Sequence, residues 1–148
     1  VLLQQRSKLR DDTPYNGMLE LPQGRIAGSE TIASFAAFKL KDETGLEILE
    51  YLAGGEVEVD STMSSSRLLI SNPFCCVVDP VQNHVGLSVV LLVAGETRAT
   101  KDARNHRWCD CVEVRRLLGA KAVFPLNVPM LRLLLDRSHQ FRLSAGQF

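Results

Sequence analysis

The stretch from residue 24 to residue 46, GRIAGSETIASFAAFKLKDETGL, constrains the fold more than any other part of the chain. It reads as loop, helix, loop. Pro22-Gln23-Gly24 punctuates a turn, Ser29 is suited to cap a helix, and the helix is expected from about residue 30 to Thr44, with Gly45 as its stop. Ile32, Ala33, Ala36, Ala37 and Leu40 cover a broad arc of the helical wheel, which predicts a largely buried helix. Lys39, Asp42 and Glu43 are spaced by three and four residues and share one side.

Around this segment the sequence alternates as strands do. Residues 1–6 read as the end of a strand and 18–21 as another, with a polar loop between them. After the helix the period changes to two: 46–52 and 56–60 are predicted strands joined through a Gly54-Gly55 hairpin. Residues 61–66 are a polar loop, and 67–70 and 74–78 are strand-like, divided at Asn72-Pro73. Residues 85–94 form the most apolar run and are expected to make one central strand. Residues 95–106 are expected as a long loop, leading to a short strand through Trp108. Helices are predicted over 112–118, stopped by Gly119, and over roughly 128–137. Strands flanking a buried helix, with further helices toward the C-terminus, predict an α/β arrangement of mixed strands in a single domain over 1–148. The chain opens inside a strand, so the leading strand is expected to be truncated and preceded by further sequence.

Gly24, Glu30, Leu40, Glu43, Gly45 and Leu46 stand at the spacing of the Nudix hydrolase signature. That signature runs glycine, five residues, glutamate, seven residues, Arg-Glu, an aliphatic, any residue, Glu-Glu, any residue, glycine, an aliphatic. Here Asp42 stands for one glutamate, and Phe38-Lys39 replaces the Arg-Glu pair. The chain therefore resembles a Nudix domain with a degenerate box. The approach Leu19-Glu20-Leu21-Pro22-Gln23-Gly24 is most similar to that of ADP-ribose pyrophosphatases. The resemblance implies an αβα sandwich with mixed β-sheets and a buried box helix.

Nudix hydrolases cleave a pyrophosphate bond in a nucleoside diphosphate linked to another group, using magnesium to neutralise phosphate and activate water. Carried over by position, the resemblance makes Glu30, Asp42 and Glu43 the metal ligands, Glu43 a catalytic carboxylate and Glu96 a candidate general base. Lys39, Glu20, Arg98 and Trp108 are then the ligand-binding candidates. Lys39 changes the charge of this cluster by two units. A unit-charge pair at about 4 Å is worth about 4 kcal/mol at an effective dielectric of 20, enough to disable a magnesium site. The leading expectation is impaired hydrolysis with retained binding of a nucleotide-like ligand, Lys39 pairing with phosphate as a point charge. One alternative is an active, magnesium-dependent pyrophosphohydrolase. A second is a non-catalytic subunit of a large assembly such as a mitochondrial ribosome. An ordinary surface Lys39–Glu43 pair, with no ligand, is the plainest account of the same residues.

Charge is balanced overall but unevenly placed. Residues 11–60 hold 11 acidic and 3 basic side chains, whereas 98–148 hold 10 basic and 4 acidic. Arg98, Lys101, Arg104 and Arg107 could grip phosphates or form a solvated run. Nothing is basic enough to argue for nucleic acid by charge. Trp108 is expected in the core, or else as a nucleobase platform. Cys75-Cys76 and Cys109-Asp110-Cys111 lack the spacer usual for structural zinc and are expected as buried free thiols, and His84, His106 and His139 are isolated. Reduced thiols favour an intracellular compartment, cytoplasmic or mitochondrial. No apolar run is long enough to span a membrane.

Overall fold

Leu2 and Leu3 lie side by side on the first strand, and successive strand residues point to opposite faces. Each is buried, and each belongs to a different core. The computed structural model that establishes this describes residues 1–7, 15–26, 31–59, 68–81, 83–101 and 103–141, leaving out the side chains of 58, 68 and 69. The first strand, β1 (Leu2–Arg6), runs between β2 (Leu19–Glu20) and β9 (Ala103–Trp108), antiparallel to both. Leu3 packs with Cys109, Val114, Leu117, Val123 and Leu131, drawn mostly from α2 (Cys111–Gly119), α3 (Val128–Asp136) and the segments beside them. Leu2 packs with Leu40 of α1 (Ile32–Thr44) and with Leu46. Helix, sheet and helices therefore form three layers.

The other ladders are two-stranded and antiparallel. β3 (Glu47–Ala53) pairs with β8 (Val90–Ala94), β4 (Gly55–Val59) with β5 (Leu68–Asn72), and β6 (Cys75–Asp79) with β7 (His84–Ser88). A parallel bridge, Leu19 to Val123, joins the edge of the β1 sheet to the loop after α2.

Several expectations are corrected here. Gly54-Gly55 is not a hairpin, because β3 and β4 pair with different partners. Gly54 is instead a corner at φ +80°, where a Cβ would lie 3.0 Å from both the Phe74 nitrogen and Val89 Cγ1. The apolar run 85–94 is two strands in two ladders, broken at Val89, and Val85 and Leu87 are exposed. Its hydrophobicity reflects separate partners, not one central position. The expected loop 95–106 already contains most of β9, so Arg104 and Arg107 are strand residues. Cys76 is exposed, although all four cysteines are free thiols; burial, with the neighbouring Cys76 thiol, pushes Cys75 above its ordinary value.

Helix α1 is less buried than its wheel predicts: Ala37 is exposed, and Phe38 is 61% exposed. Thr31, not Ser29, is the cap; Ser29 lies outside the described residues, as does Glu30. Thr31 Oγ1 accepts from the Ser34 nitrogen (3.0 Å), and Ser34 Oγ accepts from the Thr31 nitrogen (3.1 Å), a reciprocal capping box. The next two amides, Ile32 and Ala33, donate to the Glu56 carboxylate of β4 at 2.7 and 3.0 Å. The other end closes at Gly45, φ +82°, whose amide donates to the Lys41 carbonyl at 3.0 Å.

Burial pushes the Glu56 carboxyl up, but the Ala33 and Ile32 amides, with the Thr31 side chain, pull it down further, and the net shift is downward. A lowered folded value means that the charge of Glu56 stabilises fully above the ordinary carboxylate range. That contribution fades as pH falls through the lowered value. Glu56→Ala is therefore expected to cost about 1 kcal/mol in urea unfolding at neutral pH, the usual worth of a helix N-terminal acceptor. The penalty should shrink as the solution is acidified. A cost that does not change with pH would contradict a carboxylate tie to α1.

Candidate functional site: a carboxylate cluster closed by lysine

Glu43 faces the sheet from the last turn of α1 and is buried. Its Oε2 accepts from Gln4 Nε2 of β1 at 2.8 Å and from the Gln23 backbone amide at 3.2 Å. Its Oε1 faces the Lys39 ammonium at 3.4 Å, one helical turn earlier. The same ammonium is 3.7 Å from Asp42 Oδ2, the more exposed carboxylate. The predicted convergence of residues 39, 42 and 43 is thus realised, with a cation between two anions.

The cluster continues through Gln23. Its side-chain nitrogen donates to Glu20 Oε2 at 2.8 Å, and Arg6 Nη1 donates to the same oxygen at 2.9 Å. Arg6 in turn lies over the Phe124 ring, 4.8 Å from its centroid. Asn127 Nδ2 donates to Gln23 Oε1 at 3.2 Å, while its Oδ1 accepts from the Leu21 amide at 3.0 Å. A buried polar network survives when its members satisfy one another, and this one does so across β1, β2, α1 and the turn before α3. Gln4 Oε1 is the exception, buried without a partner among the described residues.

Lys39 is built in by its stem as well as its charge. A Cβ on Gly24 would lie 2.5 Å from Lys39 Cε and 2.7 Å from Phe35 Cζ. The lysine therefore runs across the bare glycine backbone to reach Glu43. A magnesium ion requires hard oxygen ligands in near-octahedral array at about 2.0–2.1 Å. The face offers two carboxylates, one already holding two amide donors, with an ammonium beside both. Among the described residues no three His, Cys, Asp or Glu side chains are grouped to hold a metal. Among the described residues, these carboxylates do not complete a magnesium shell. Glu30, the remaining predicted ligand, lies outside the described residues.

The other sequence candidates are scattered around this centre. Glu20 is buried and committed to Arg6 and Gln23. Glu96 and Arg98 sit at the C-terminal end of α1, where the Arg98 amide donates to the Thr44 carbonyl at 2.9 Å. Both of their side chains are exposed. Trp108 is 60% exposed, which corrects its expected place in the core: it stands at the end of β9 opposite Leu2. Arg107 pairs with Glu113. Arg6, Gln4, Gln23 and Asn127 were not legible as site residues. The available signal was Gln4, a polar residue following two leucines of one strand.

No protein-family model matches the sequence, and no curated protein is significantly similar to it. Solved structures do match. The solution structure of the E. coli ORF135 protein is 18% identical, with a TM-score of 0.56 over 93% of this chain and 80% of that one. The crystal structure of MutT protein from Methanosarcina mazei Go1 is 15% identical, with a TM-score of 0.55 over 93% of this chain and 83% of the other. The MutT NUDIX hydrolase from Burkholderia pseudomallei is 15% identical, with a TM-score of 0.50 over 91% and 84%. At such identities the likeness speaks for architecture alone, and the architecture of this chain is the Nudix α/β fold.

Proposed function

We propose that this chain is a Nudix-fold domain that does not hydrolyse pyrophosphate by the metal route. Lys39 instead holds the phosphates of a nucleoside diphosphate-linked small molecule. The observation that carries this reading is the Lys39 ammonium at 3.4 Å from Glu43 and 3.7 Å from Asp42. It supplies positive charge beside the carboxylates that a magnesium cluster would need. An ammonium has three donors and is a phosphate partner in its own right. The 19–24 approach, similar to that of ADP-ribose pyrophosphatases, makes an ADP-ribose-like ligand the first to try. Exposed Trp108 and Arg98 are the side chains suited to its base and its outer phosphate.

ADP-ribose is expected to bind equally well in chelator and in magnesium, measured by calorimetry. Lys39→Ala should weaken it by about 1.5–3 kcal/mol, the worth of a charge-assisted hydrogen bond. Wild type should release no product from ADP-ribose in magnesium. Turnover in the ordinary enzymatic range of about 1–10³ s⁻¹ would instead establish the active pyrophosphohydrolase, working through Glu30, Asp42, Glu43 and Glu96.

If Glu43 serves mainly to anchor the box helix, its loss registers in stability. Glu43→Ala strands the Gln4 and Gln23 donors in a buried setting, at an expected cost of about 1–3 kcal/mol in urea unfolding. An unchanged unfolding midpoint would count against a structural use of this carboxylate.

A second reading, a non-catalytic subunit of a larger assembly, is supported by one different observation. Val57 and Ile70 are paired across β4–β5, and Val78 and Val85 across β6–β7, and all four are exposed apolar side chains. Apolar rows of this kind are commonly covered by a partner. Absence of nucleotide binding, together with co-purification in a large native complex, would select it.

A further inference from the structure

We propose that the cleft at the Gly54 corner is a second binding site, separate from the Lys39 cluster, for a small aromatic monocarboxylate. The cleft is an open surface depression of about 320 Å³ between the end of β3, the β5–β6 link and the turn after α3. That is near the lower end of the roughly 300–1,000 Å³ of small-molecule pockets, suited to a one-ring ligand. None of its lining residues belongs to the Lys39–Glu43–Gln23–Glu20 network.

Its walls combine rings with exposed polar groups. Phe74 and Phe141 meet edge to face, with centroids 5.7 Å apart. The Arg137 guanidinium lies over Phe74, 5.9 Å from the ring centroid. Arg137 has no carboxylate partner among the described residues, and the side chains of Asn72 and Gln140 make no hydrogen bond there. Three exposed polar side chains thus border an aromatic cleft, with no hydrogen-bonding protein partner committed to them among the described residues. One guanidinium among neutral amides balances one negative charge, and its planar fork matches a carboxylate. The rings supply the flat surface against which an aromatic acid stacks.

The Phe74 wall is also fixed in place. The Phe74 amide donates to the Ser88 carbonyl at 2.8 Å, and a Cβ on Gly54 would crowd the Phe74 nitrogen and Val89 Cγ1 at 3.0 Å each.

Titration of the isotope-labelled chain with benzoate, followed by amide chemical shifts, tests this. Benzoate should produce saturable shifts at Gly54, Phe74 and Gln140 with millimolar affinity. Benzamide, which has the ring without the charge, and acetate, which has the charge without the ring, should each bind at least about tenfold more weakly. Arg137→Met, which keeps the stem and removes the charge, should weaken benzoate at least about tenfold, as loss of a charged hydrogen bond does. Unmoved amides in the cleft would overturn the proposal, as would benzamide binding as well as benzoate or an unaltered affinity in Arg137→Met. Should that variant fail to fold, the comparison of the three compounds on wild type decides by itself.

Discussion

A carboxylate cannot be taken out of water without replacement partners, and that requirement at Glu43 organises the centre of this molecule. Burying it requires a donor from the sheet, which is Gln4, a donor from the loop, which is the Gln23 amide, and a nearby positive charge, which is Lys39. Each of those residues is in turn fixed by something else. Gln4 is held in the middle strand, Gln23 by Glu20 and Asn127, and Lys39 by its passage over Gly24. The loop, the helix and the sheet are thus joined by polar contacts as well as by the Leu2–Leu40–Leu46 core.

The two ends of α1 show why a cation in the cluster matters. A helix N-terminus ordinarily offers bare amides and a partial positive charge to an anion. Here the Thr31 cap and the Glu56 carboxylate use those amides. The positive charge on this helix that faces the loop is therefore a side chain, Lys39, a full turn before the C-terminal end. The tie to Glu56 also fastens β4 to the helix, and Tyr51 of the preceding strand adds a second tie by donating to the Ala33 carbonyl.

Much of the architecture was legible because it follows from local pattern. Gly45 stops α1 as expected, since a left-handed residue is needed there, and α2 and α3 fall within a residue of their expected ends. The convergence of Lys39, Asp42 and Glu43 was legible because a helix turns every 3.6 residues. What was not legible depends on contacts distant in sequence. Gly54-Gly55 carries a hairpin signal, yet strand partners decide whether a glycine pair joins two strands of one ladder or turns a corner between two. The run 85–94 looks uniform in composition, and its break at Val89 falls where Gly54, distant in sequence, packs against it. Gln4, Gln23 and Asn127 belong to no motif; they are recognised only once Glu43 is known to be buried.

The alternation of β1 places Leu3 toward α2 and α3, and Leu2 with Gln4 toward α1. The bulge between Leu3 and Gln5 in the pairing with β9 lets β9 absorb an irregularity while β1 keeps its own alternation. It follows that the polarity of the whole interior is written in the phase of five residues. Were β1 to slide so that Leu3 took the place of Gln4, Gln4 would enter the hydrocarbon layer, and a leucine would be presented to the Glu43 carboxylate. Either error alone is costly, and this slip commits both together. The polar centre thereby acts as a reading frame for the sheet, selecting one alignment of the middle strand before any ligand is considered.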